Sequence, residues 1–286
     1  ELKNSGTAWF IGPDNGSFTI SSGFDHDKHP ARVKLTNMNG PFGKWLREKA
    51  KAYGIPVSEV EEIPLVEGEA TPSDQVDDLI LLSPTIDLIE TMSPYLAYHG
   101  MMVFSAQTPF DRKASIDVGR VHYNRWLFLG GEDRDIAQIY KKAPTRSELH
   151  KGGRALFVGA GGPMGRMHVQ HAIESKDHPR LIVCSDASDA RLEDLDQTFG
   201  EEAKAKGIEW ICVNPMDKIA YDQTMCQFEG SGFDDIIILV PIPAVITDSA
   251  PWLAQDGVMN VFAGVARGTT AKLDLNDMVV RNARVI

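Results

Sequence analysis

Two halves of this chain carry similar landmarks in the same order, and this repetition restricts the fold more than any other feature of the sequence. Residues 6–12 parallel residues 153–159 at an offset of 147, and residues 76–82 parallel residues 233–239 at an offset of 157. Small insertions in the second copy explain why the offset grows, and a chance likeness between apolar strands is the alternative. In each copy, short apolar segments alternate with helix-compatible segments, which is typical of a parallel sheet with helices on both faces.

The repetition predicts an α/β fold made of two tandem, doubly wound parallel-sheet domains, because crossovers between parallel strands are right-handed. We expect the first domain over residues 1–145 and the second over residues 150–286, with the polar segment 143–153 as the linker. The chain begins with Glu1 rather than methionine, and the second copy ends inside its predicted sixth strand. We therefore expect a piece of a longer protein.

Composition excludes several classes of protein. The formal net charge of −11 argues against general binding to nucleic acid or to anionic membranes, which need a basic surface. No apolar run approaches the roughly 18 residues of a membrane-spanning helix. The three cysteines, Cys184, Cys212 and Cys226, match no zinc motif, so they are expected to be free thiols, two of them in the core. This cysteine usage indicates a cytoplasmic protein.

A glycine-rich segment in the second copy is the strongest chemical signal. Residues 158–165 read Val-Gly-Ala-Gly-Gly-Pro-Met-Gly and lie between a predicted strand and a predicted helix. Glycines let a phosphate approach the backbone closely, and the helix start offers N–H groups to that anion. The pattern predicts a dinucleotide-binding, Rossmann-like domain. Its spacing departs from Gly-x-Gly-x-x-Gly, and we favour the register with Ala160 in the first position and Gly162 as the central glycine. Gly162, Pro163, Met164 and Gly165 then form the phosphate turn, and Gly161 precedes it within the site.

Asp186 strengthens this prediction, since it follows Gly165 by 21 residues and ends the second predicted strand. A carboxylate there can accept hydrogen bonds from the adenosine ribose and would repel a 2′-phosphate, which favours NAD over NADP. Capping of the next helix is the alternative role for Asp186. We include Ala187 in the site. Arg191 borders the adenine, partly accommodates a 2′-phosphate, or is only a solvated helix residue.

Two more strand ends are expected to complete the site on its nicotinamide side. Ligands of open α/β sheets bind beyond the carboxyl ends of the strands. The alternative is that the residues at these two strand ends are ordinary turn residues. The residues concerned are Val240, Pro241, Phe262, Ala263 and Gly264. His168 and His171 share a helix face, but no third ligand lies near them in sequence, so we predict no metal site.

The first copy departs from this pattern. Its turn, residues 12–16, keeps only two glycines, and the segment up to residue 23 is poorly helical. Asn37 stands where the second copy has Asp186. We therefore expect a degenerate Rossmann-like domain with an impaired cofactor site. We also predict no catalytic residue in either copy, because the chain contains no Tyr-x-x-x-Lys pair, Gly-x-Ser-x-Gly elbow or P-loop.

The second copy resembles the medium-chain, zinc-type alcohol dehydrogenases, and within them the group of sorbitol dehydrogenase and L-sorbose 1-phosphate reductase. The likeness covers residues 153–286 and is carried by residues 161–168, 184–189 and 257–264. The first copy is similar to that family only in layout, although residues 126–131 resemble its last strand and turn.

The resemblance implies hydride transfer with NAD, or less readily NADP, and a polyol, sugar or sugar phosphate as substrate of the parent protein. That family holds its zinc in a separate GroES-like domain, and nothing in this chain resembles it. The resemblance therefore implies that zinc and the chemistry lie outside these residues, and it leaves a homo-oligomer open. A non-catalytic nucleotide-sensing or assembly module is the alternative function. A methyltransferase is a third option, against which the Gly162 to Gly165 turn argues.

Overall fold

The computed structural model describes residues 1–15, 17–64, 66, 70–142, 146 and 148–286. The chain divides into two compact units, each described here by itself. The first unit comprises Glu1–Ala143 and Ala266–Arg284, and the second comprises Pro144–Val265 and Val285–Ile286. Part of the predicted linker, residues 143–145 and 147, lies outside the described residues.

The first unit contains a six-stranded sheet with the order β3-β2-β1-β4-β5-β7, whose described strand pairs are parallel. Its strands are β1 (Thr7–Ile11), β2 (Arg32–Thr36), β3 (Val57–Glu59), β4 (Val76–Leu82), β5 (Leu96–Ser105), β6 (Ala114–Asp117) and β7 (Leu127–Gly131). Its helices up to residue 142 are α1 (Pro41–Tyr53), α2 (Ile86–Met92), α3 (Val118–Asn124) and α4 (Ile136–Lys142). The helices cover the sheet because its strands are apolar on both faces.

The second unit contains a six-stranded sheet with the order β10-β9-β8-β11-β12-β14, which matches the first sheet position by position. Its strands are β8 (Arg154–Val158), β9 (Leu181–Ser185), β10 (Glu209–Val213), β11 (Phe233–Ile238), β12 (Leu253–Val261) and β14 (Arg284–Val285). Its helices are α5 (Pro163–Glu174), α6 (Asp189–Ala205), α7 (Lys218–Met225) and α8 (Pro243–Ser249). The two parallel sheets with flanking helices confirm the predicted fold class.

The segment 266–284 packs with the first unit, which differs from the predicted second domain of residues 150–286. It contains β13 (Thr270–Leu273) and α9 (Leu275–Val280). The strand β13 pairs antiparallel with β6, and the Asp117 carboxylate accepts a hydrogen bond from the Gly268 N–H at 2.9 Å. Leu275 and Met278 are buried. Strand pairing and burial therefore hold this segment against the first unit. Neither the pairing nor the burial could be predicted from the local sequence.

A loop replaces the first crossover helix in the first unit. The described residues between β1 and β2 form no helix, and the apolar side chains of Phe18, Ile20 and Phe24 fill the core there. In the second unit the corresponding position is taken by α5, which buries Val169 and Ile173. Gly16, the last residue of the predicted degenerate turn, lies outside the described residues. The poorly helical segment predicted after that turn is thus non-helical where it is described.

The Asp14 carboxylate occupies the start of α1. Its Oδ2 atom accepts a hydrogen bond of 2.7 Å from the Gly43 N–H in the first turn of the helix. The helix cap, Gly40, has no side chain to accept this bond. At Gly12, an added Cβ atom would lie 2.2 Å from the Asn37 carbonyl oxygen, so the backbone of the loop is packed tightly against β2. A protein carboxylate thus stands where a helix start would otherwise attract an anion.

A buried hydrogen bond fastens α4 to the sheet. The Tyr140 hydroxyl donates to Oδ1 of Asp78 at 2.8 Å, and the Lys3 backbone N–H donates to Oδ2 at 2.8 Å. Burial raises the pKa of Asp78, while these two hydrogen bonds act in the opposite direction. The pKa of Asp78 is higher in the folded chain than in the unfolded chain, so Asp78 contributes its full stabilisation below its unfolded pKa, about 3.9. That stabilisation is lost as the pH rises through the folded pKa.

We expect Tyr140→Phe to lower the free energy of unfolding by about 1–3 kcal/mol at pH 7, because one oxygen of the buried Asp78 carboxylate loses its donor. The pKa of Asp78 should rise further in this variant, so the loss should shrink at acid pH. Urea unfolding at pH 7 and at acid pH measures the free energy of unfolding of the variant and of the native chain. Tyr98→Phe is the matched control, since Tyr98 is exposed. Equal unfolding free energies for Tyr140→Phe and the native chain at pH 7 would contradict the expectation.

Candidate functional site

The glycine-rich turn begins where β8 ends. Gly159 has a φ of 86°, a left-handed conformation, and an added Cβ atom there would lie 2.5 Å from Cγ1 of Val240. The N–H groups of Gly159 and Ala160 donate to the Ser185 carbonyl oxygen at 2.7 and 3.0 Å. Glycine is therefore required at Gly159 both by its conformation and by the close approach of Val240. The turn is tied to the end of β9.

The Asp186 side chain joins this turn to the start of α6. Its Oδ2 atom accepts a hydrogen bond from the Gly161 N–H, and its Oδ1 atom accepts one from the Ser188 N–H, each at 3.0 Å. Asp186 is buried, with 7% of its surface exposed. The actual cap of α6 is Ser188, whose hydroxyl accepts from the Arg191 N–H. Asp186 thus braces the glycine-rich turn while keeping lone pairs for further donors.

The start of α5 has the features of an anion site. The helix begins at Pro163, which has no N–H, and its cap Gly162 offers no side chain to the following amides. In the same unit, α6 and α7 are capped by the side chains of Ser188 and Asp217. The Met164 and Gly165 N–H groups therefore stand at the positive end of the helix without a side-chain cap.

The space around this helix start suits a phosphate. A Cβ atom added at Gly162 would meet only the Gly159 carbonyl oxygen, at 3.6 Å, so the region above Gly162 is open. At Gly165 an added Cβ atom would lie 2.4 Å from the Ala160 carbonyl oxygen, so that glycine lets the helix pack against the turn. These two glycines have different functions, one leaving room for a ligand and the other allowing close packing. The residues present fit a dinucleotide pyrophosphate.

Arg191 borders the same turn. Its Cβ atom would lie 2.6 Å from a Cβ atom added at Gly161, and its side chain is exposed. Among the residues that the structure describes, the guanidinium group makes no hydrogen bond or ion pair. Ala187, next to Asp186, is exposed as well. The structure therefore brings Gly161, Asp186 and Arg191 together beside the turn.

The predicted nicotinamide side lies at the ends of β11 and β12. Val240 contacts the turn at Gly159, while the Ala263 N–H donates to the Ile238 carbonyl oxygen at 2.9 Å. Phe262 is partly buried, and Pro241 and Gly264 are exposed beside it. Parallel pairing of β11 with β12 thus aligns both strand ends at one edge of the sheet.

His168, at which the sequence predicts no metal site, lies beside this edge in the structure. Its ring centre lies 4.4 Å from that of Phe262 in an edge-on arrangement. Its Nδ1 atom lies 2.8 Å from the Met164 carbonyl oxygen, one helical turn earlier. His168 therefore connects the helix start with the β12 end. The spacing of four residues from Met164 is the only sequence signal that could have suggested it.

Among the residues that the structure describes, no group of three or more His, Cys, Asp or Glu side chains could hold a metal ion. His171 lies 3.5 Å from Oε2 of Glu148. Cys184 and Cys212 are neighbours on β9 and β10, and a hydrogen bond from Cys184 lowers the pKa of Cys212. Across the same described residues, no helix is both long and apolar enough to cross a membrane.

Three curated relatives match part of the chain, and no family model matches it. The chain is 34% identical over 121 residues to the uncharacterized protein YggP of Escherichia coli, which is 42% of this chain and 28% of that protein. It is 31% identical to mannitol-1-phosphate 5-dehydrogenase of Aliivibrio fischeri over 41% of this chain and 28% of the relative. It is 30% identical to L-sorbose 1-phosphate reductase of Klebsiella pneumoniae over 39% of this chain and 26% of the relative.

Two of these relatives are named as a dehydrogenase and a reductase, so part of the chain is similar to proteins of that kind, as the sequence predicted. The chain spans little more than a quarter of the length of the curated relatives it matches. Among solved structures, it is similar to 2R,3R-butanediol dehydrogenase from Bacillus subtilis with a TM-score of 0.39 and 16% identity, over 50% of this chain and 36% of that one.

Proposed function

We propose that this chain is the dinucleotide-binding part of an NAD-dependent oxidoreductase similar to the medium-chain, zinc-type alcohol dehydrogenases. One observation carries the proposal. The open, uncapped start of α5 at Gly162 lies directly beside the buried Asp186 carboxylate, which holds the turn through the Gly161 N–H. The helix start that can bind an anion and the Asp186 carboxylate that can accept hydrogen bonds thus occur together at the carboxyl ends of neighbouring strands. A dinucleotide is bound at this place in folds of this kind.

Each part of the site has a distinct role in this proposal. The Met164 and Gly165 N–H groups donate to the pyrophosphate, and Asp186 accepts from the adenosine ribose. Ala187 and Arg191 border the adenine end. Val240, Pro241, Phe262, Ala263 and Gly264 form the nicotinamide side, where apolar surface would exclude water. NAD, when bound, supplies the hydride chemistry, and the residues of this chain bind and orient it.

The substrate is proposed from the relatives. Two of them are named for mannitol 1-phosphate and L-sorbose 1-phosphate, so we propose a polyol, sugar or sugar phosphate for the parent protein. Zinc would belong to a GroES-like domain outside these residues. The alternative, a non-catalytic nucleotide-sensing or assembly module, would use the same helix start without a catalytic domain.

NAD is expected to stabilise this chain against heat more than NADP does, because a 2′-phosphate would meet the Asp186 carboxylate. S-adenosylmethionine should have no effect. Differential scanning fluorimetry with equal concentrations of the three compounds measures the order, since a ligand that binds only the folded state raises the melting temperature. A larger shift with S-adenosylmethionine than with NAD would show a methyltransferase-type site. Absence of any shift with both nucleotides, even at millimolar concentration, would refute dinucleotide binding.

This chain alone is expected to turn over no polyol or sugar phosphate, because the proposed catalytic zinc lies outside it. The assay follows NADH absorbance with mannitol, sorbitol and their phosphates, with and without added zinc. An authentic polyol dehydrogenase in the same buffer is the positive control. Sustained, zinc-dependent NADH formation by the purified chain would show that the active site lies within these residues.

A further inference from the structure

Two thiols of the second unit lie side by side at the edge of its sheet. Cys184 on β9 and Cys212 on β10 are register partners in the parallel pairing of these strands. Both side chains project to the same face of the sheet, because Cys184 belongs to the core cluster beneath α6 and Cys212 packs against that cluster. Both are free thiols, and a hydrogen bond joins them. The two sulfur atoms are therefore neighbours.

The backbone geometry allows a disulfide between these two positions. Neighbouring strands of a sheet lie about 4.8 Å apart, which falls within the roughly 4.4–6.8 Å that separate the Cα atoms of a disulfide. The strand β10 is the outermost on its side of the sheet, so it can shift towards β9 without breaking a pairing with a further strand. A disulfide formed by such a shift is strained and is more easily reduced than a relaxed one. Its formation is therefore reversible.

The two thiols differ in exposure and in acidity. Cys212 is partly exposed, whereas Cys184 is fully buried. The hydrogen bond from Cys184 lowers the pKa of Cys212, although partial burial and the Asp196 carboxylate act in the opposite direction. Burial raises the pKa of Cys184. Because the thiolate is the reactive form of cysteine, an oxidant reacts first with Cys212, and Cys184 is the thiol beside it.

We infer that Cys184 and Cys212 form a redox pair, which closes reversibly to a disulfide when the chain meets hydrogen peroxide. The Cys212 thiolate attacks one oxygen of the peroxide, the O–O bond breaks, and Cys212 becomes a sulfenic acid. The Cys184 sulfur then attacks the Cys212 sulfur, the S–O bond breaks, and the leaving hydroxide takes the Cys184 proton to form water. The two thiols are oxidised, and the peroxide is reduced to two molecules of water.

The end of β10 supports the segment that follows β9. The Asp186 N–H donates to the Val213 carbonyl oxygen at 3.4 Å, and the Asn214 amide donates to Oδ1 of Asp189 at 2.7 Å. Val213 and Asp186 lie one and two residues beyond the two thiols. A shift of β10 towards β9 therefore moves the partners of Asp186 and of the start of α6. Closing the disulfide is expected to weaken NAD binding several-fold, a consequence that rests on the proposed function.

The Cys226→Ser variant tests the disulfide, because Cys226 is exposed and could otherwise link two chains. The folded variant is treated with hydrogen peroxide, its remaining thiols are blocked, and it is digested with trypsin. Mass spectrometry should find the peptide of Cys184 joined to that of Cys212, and dithiothreitol should separate them. The urea-unfolded variant, treated alike, is the positive control. Absence of the joined peptide from the folded chain would overturn the inference.

Two further variants in the same background assign the order of attack. In Cys184→Ala, the Cys212 sulfenic acid should persist and be trapped by dimedone. In Cys212→Ser, neither the sulfenic acid nor the disulfide should form. Circular dichroism melting checks that each variant is folded. Dimedone labelling of Cys184 in folded Cys212→Ser, at the rate seen for Cys212 in Cys184→Ala, would contradict the assigned roles.

Calorimetric titration with NAD tests the consequence for the proposed site. The oxidised Cys226→Ser chain should bind NAD several-fold more weakly than the reduced chain. Peroxide-treated Cys212→Ser controls for oxidation of Met164 in the turn and should bind NAD like its untreated form. Equal NAD affinity of the two redox forms would show that the pair does not act on the site. If even the reduced chain binds no NAD, the proposed function is refuted, whereas mass spectrometry alone decides the disulfide.

Discussion

Gly162→Ala is expected to weaken NAD binding by about a hundredfold or more while leaving the fold intact. The added methyl group would fill the open space above the helix start and keep the pyrophosphate away from the Met164 and Gly165 N–H groups. Two charge-assisted hydrogen bonds of about 1.5 kcal/mol or more each account for that factor. The fold should tolerate the change, because the nearest atom to the new Cβ is 3.6 Å away. Isothermal titration calorimetry measures the affinity.

Gly165→Ala separates the two glycine roles and serves as the comparison. Its Cβ atom would lie 2.4 Å from the Ala160 carbonyl oxygen and 2.5 Å from that of Gly159, and neither backbone atom can move away easily. We expect this variant to lose about 1–3 kcal/mol of folding stability or more. Gly162→Ala should melt like the native chain. If a folded Gly162→Ala protein binds NAD as tightly as the native chain does, the pyrophosphate does not bind at this turn.

Asp186→Ala is expected to weaken NAD binding by about ten- to a hundredfold and to reduce the preference for NAD over NADP. Loss of a charge-assisted acceptor for the ribose accounts for roughly 1.5–3 kcal/mol. The structure adds a second effect, since the carboxylate also holds the Gly161 N–H and the Ser188 N–H. Calorimetric titration of both nucleotides against the variant measures the change.

Two controls isolate the ribose contact from the structural role of Asp186. Ser188→Ala removes the cap of α6, which should cost about 1 kcal/mol of stability and leave NAD affinity unchanged. Asn37→Ala alters the matching position of the first unit and should not affect binding. Equal NAD affinity in Asp186→Ala and the native chain, or a second binding site abolished by Asn37→Ala, would contradict the proposed arrangement.

Sequence reasoning predicted the glycine-rich turn because its geometry is local. Left-handed Gly159 and the helix start at Pro163 follow from the conformational preferences of glycine and proline over a few residues. The position of Asp186 beside the turn was predictable for a related reason, since parallel neighbouring strands align their carboxyl ends. The hydrogen bond from Gly161 to Asp186 was not predictable, because it depends on the path of the turn in three dimensions.

Other parts of the site depended on contacts that the pattern does not encode. His168 gave no distinct signal in the sequence, and only the folded arrangement places its ring against Phe262. Asp14 lies in the turn after β1, and its carboxylate accepts from the Gly43 N–H at the start of α1. Both contacts join residues 29 or more positions apart, so no local preference could specify them.

The sequence by itself determined the α/β class, the doubling of the sheet and the glycine-rich turn of the second copy. These features follow from hydrophobic periodicity and from glycine and proline conformations, which act within one strand or helix. The tertiary structure alone decided that segment 266–284 packs with the first unit and that α4 covers one sheet face there. Those outcomes depend on which apolar surfaces pack together between segments that are far apart in the sequence. The free energy of that burial is gained only when the segments meet in the folded chain, so no local pattern encodes it.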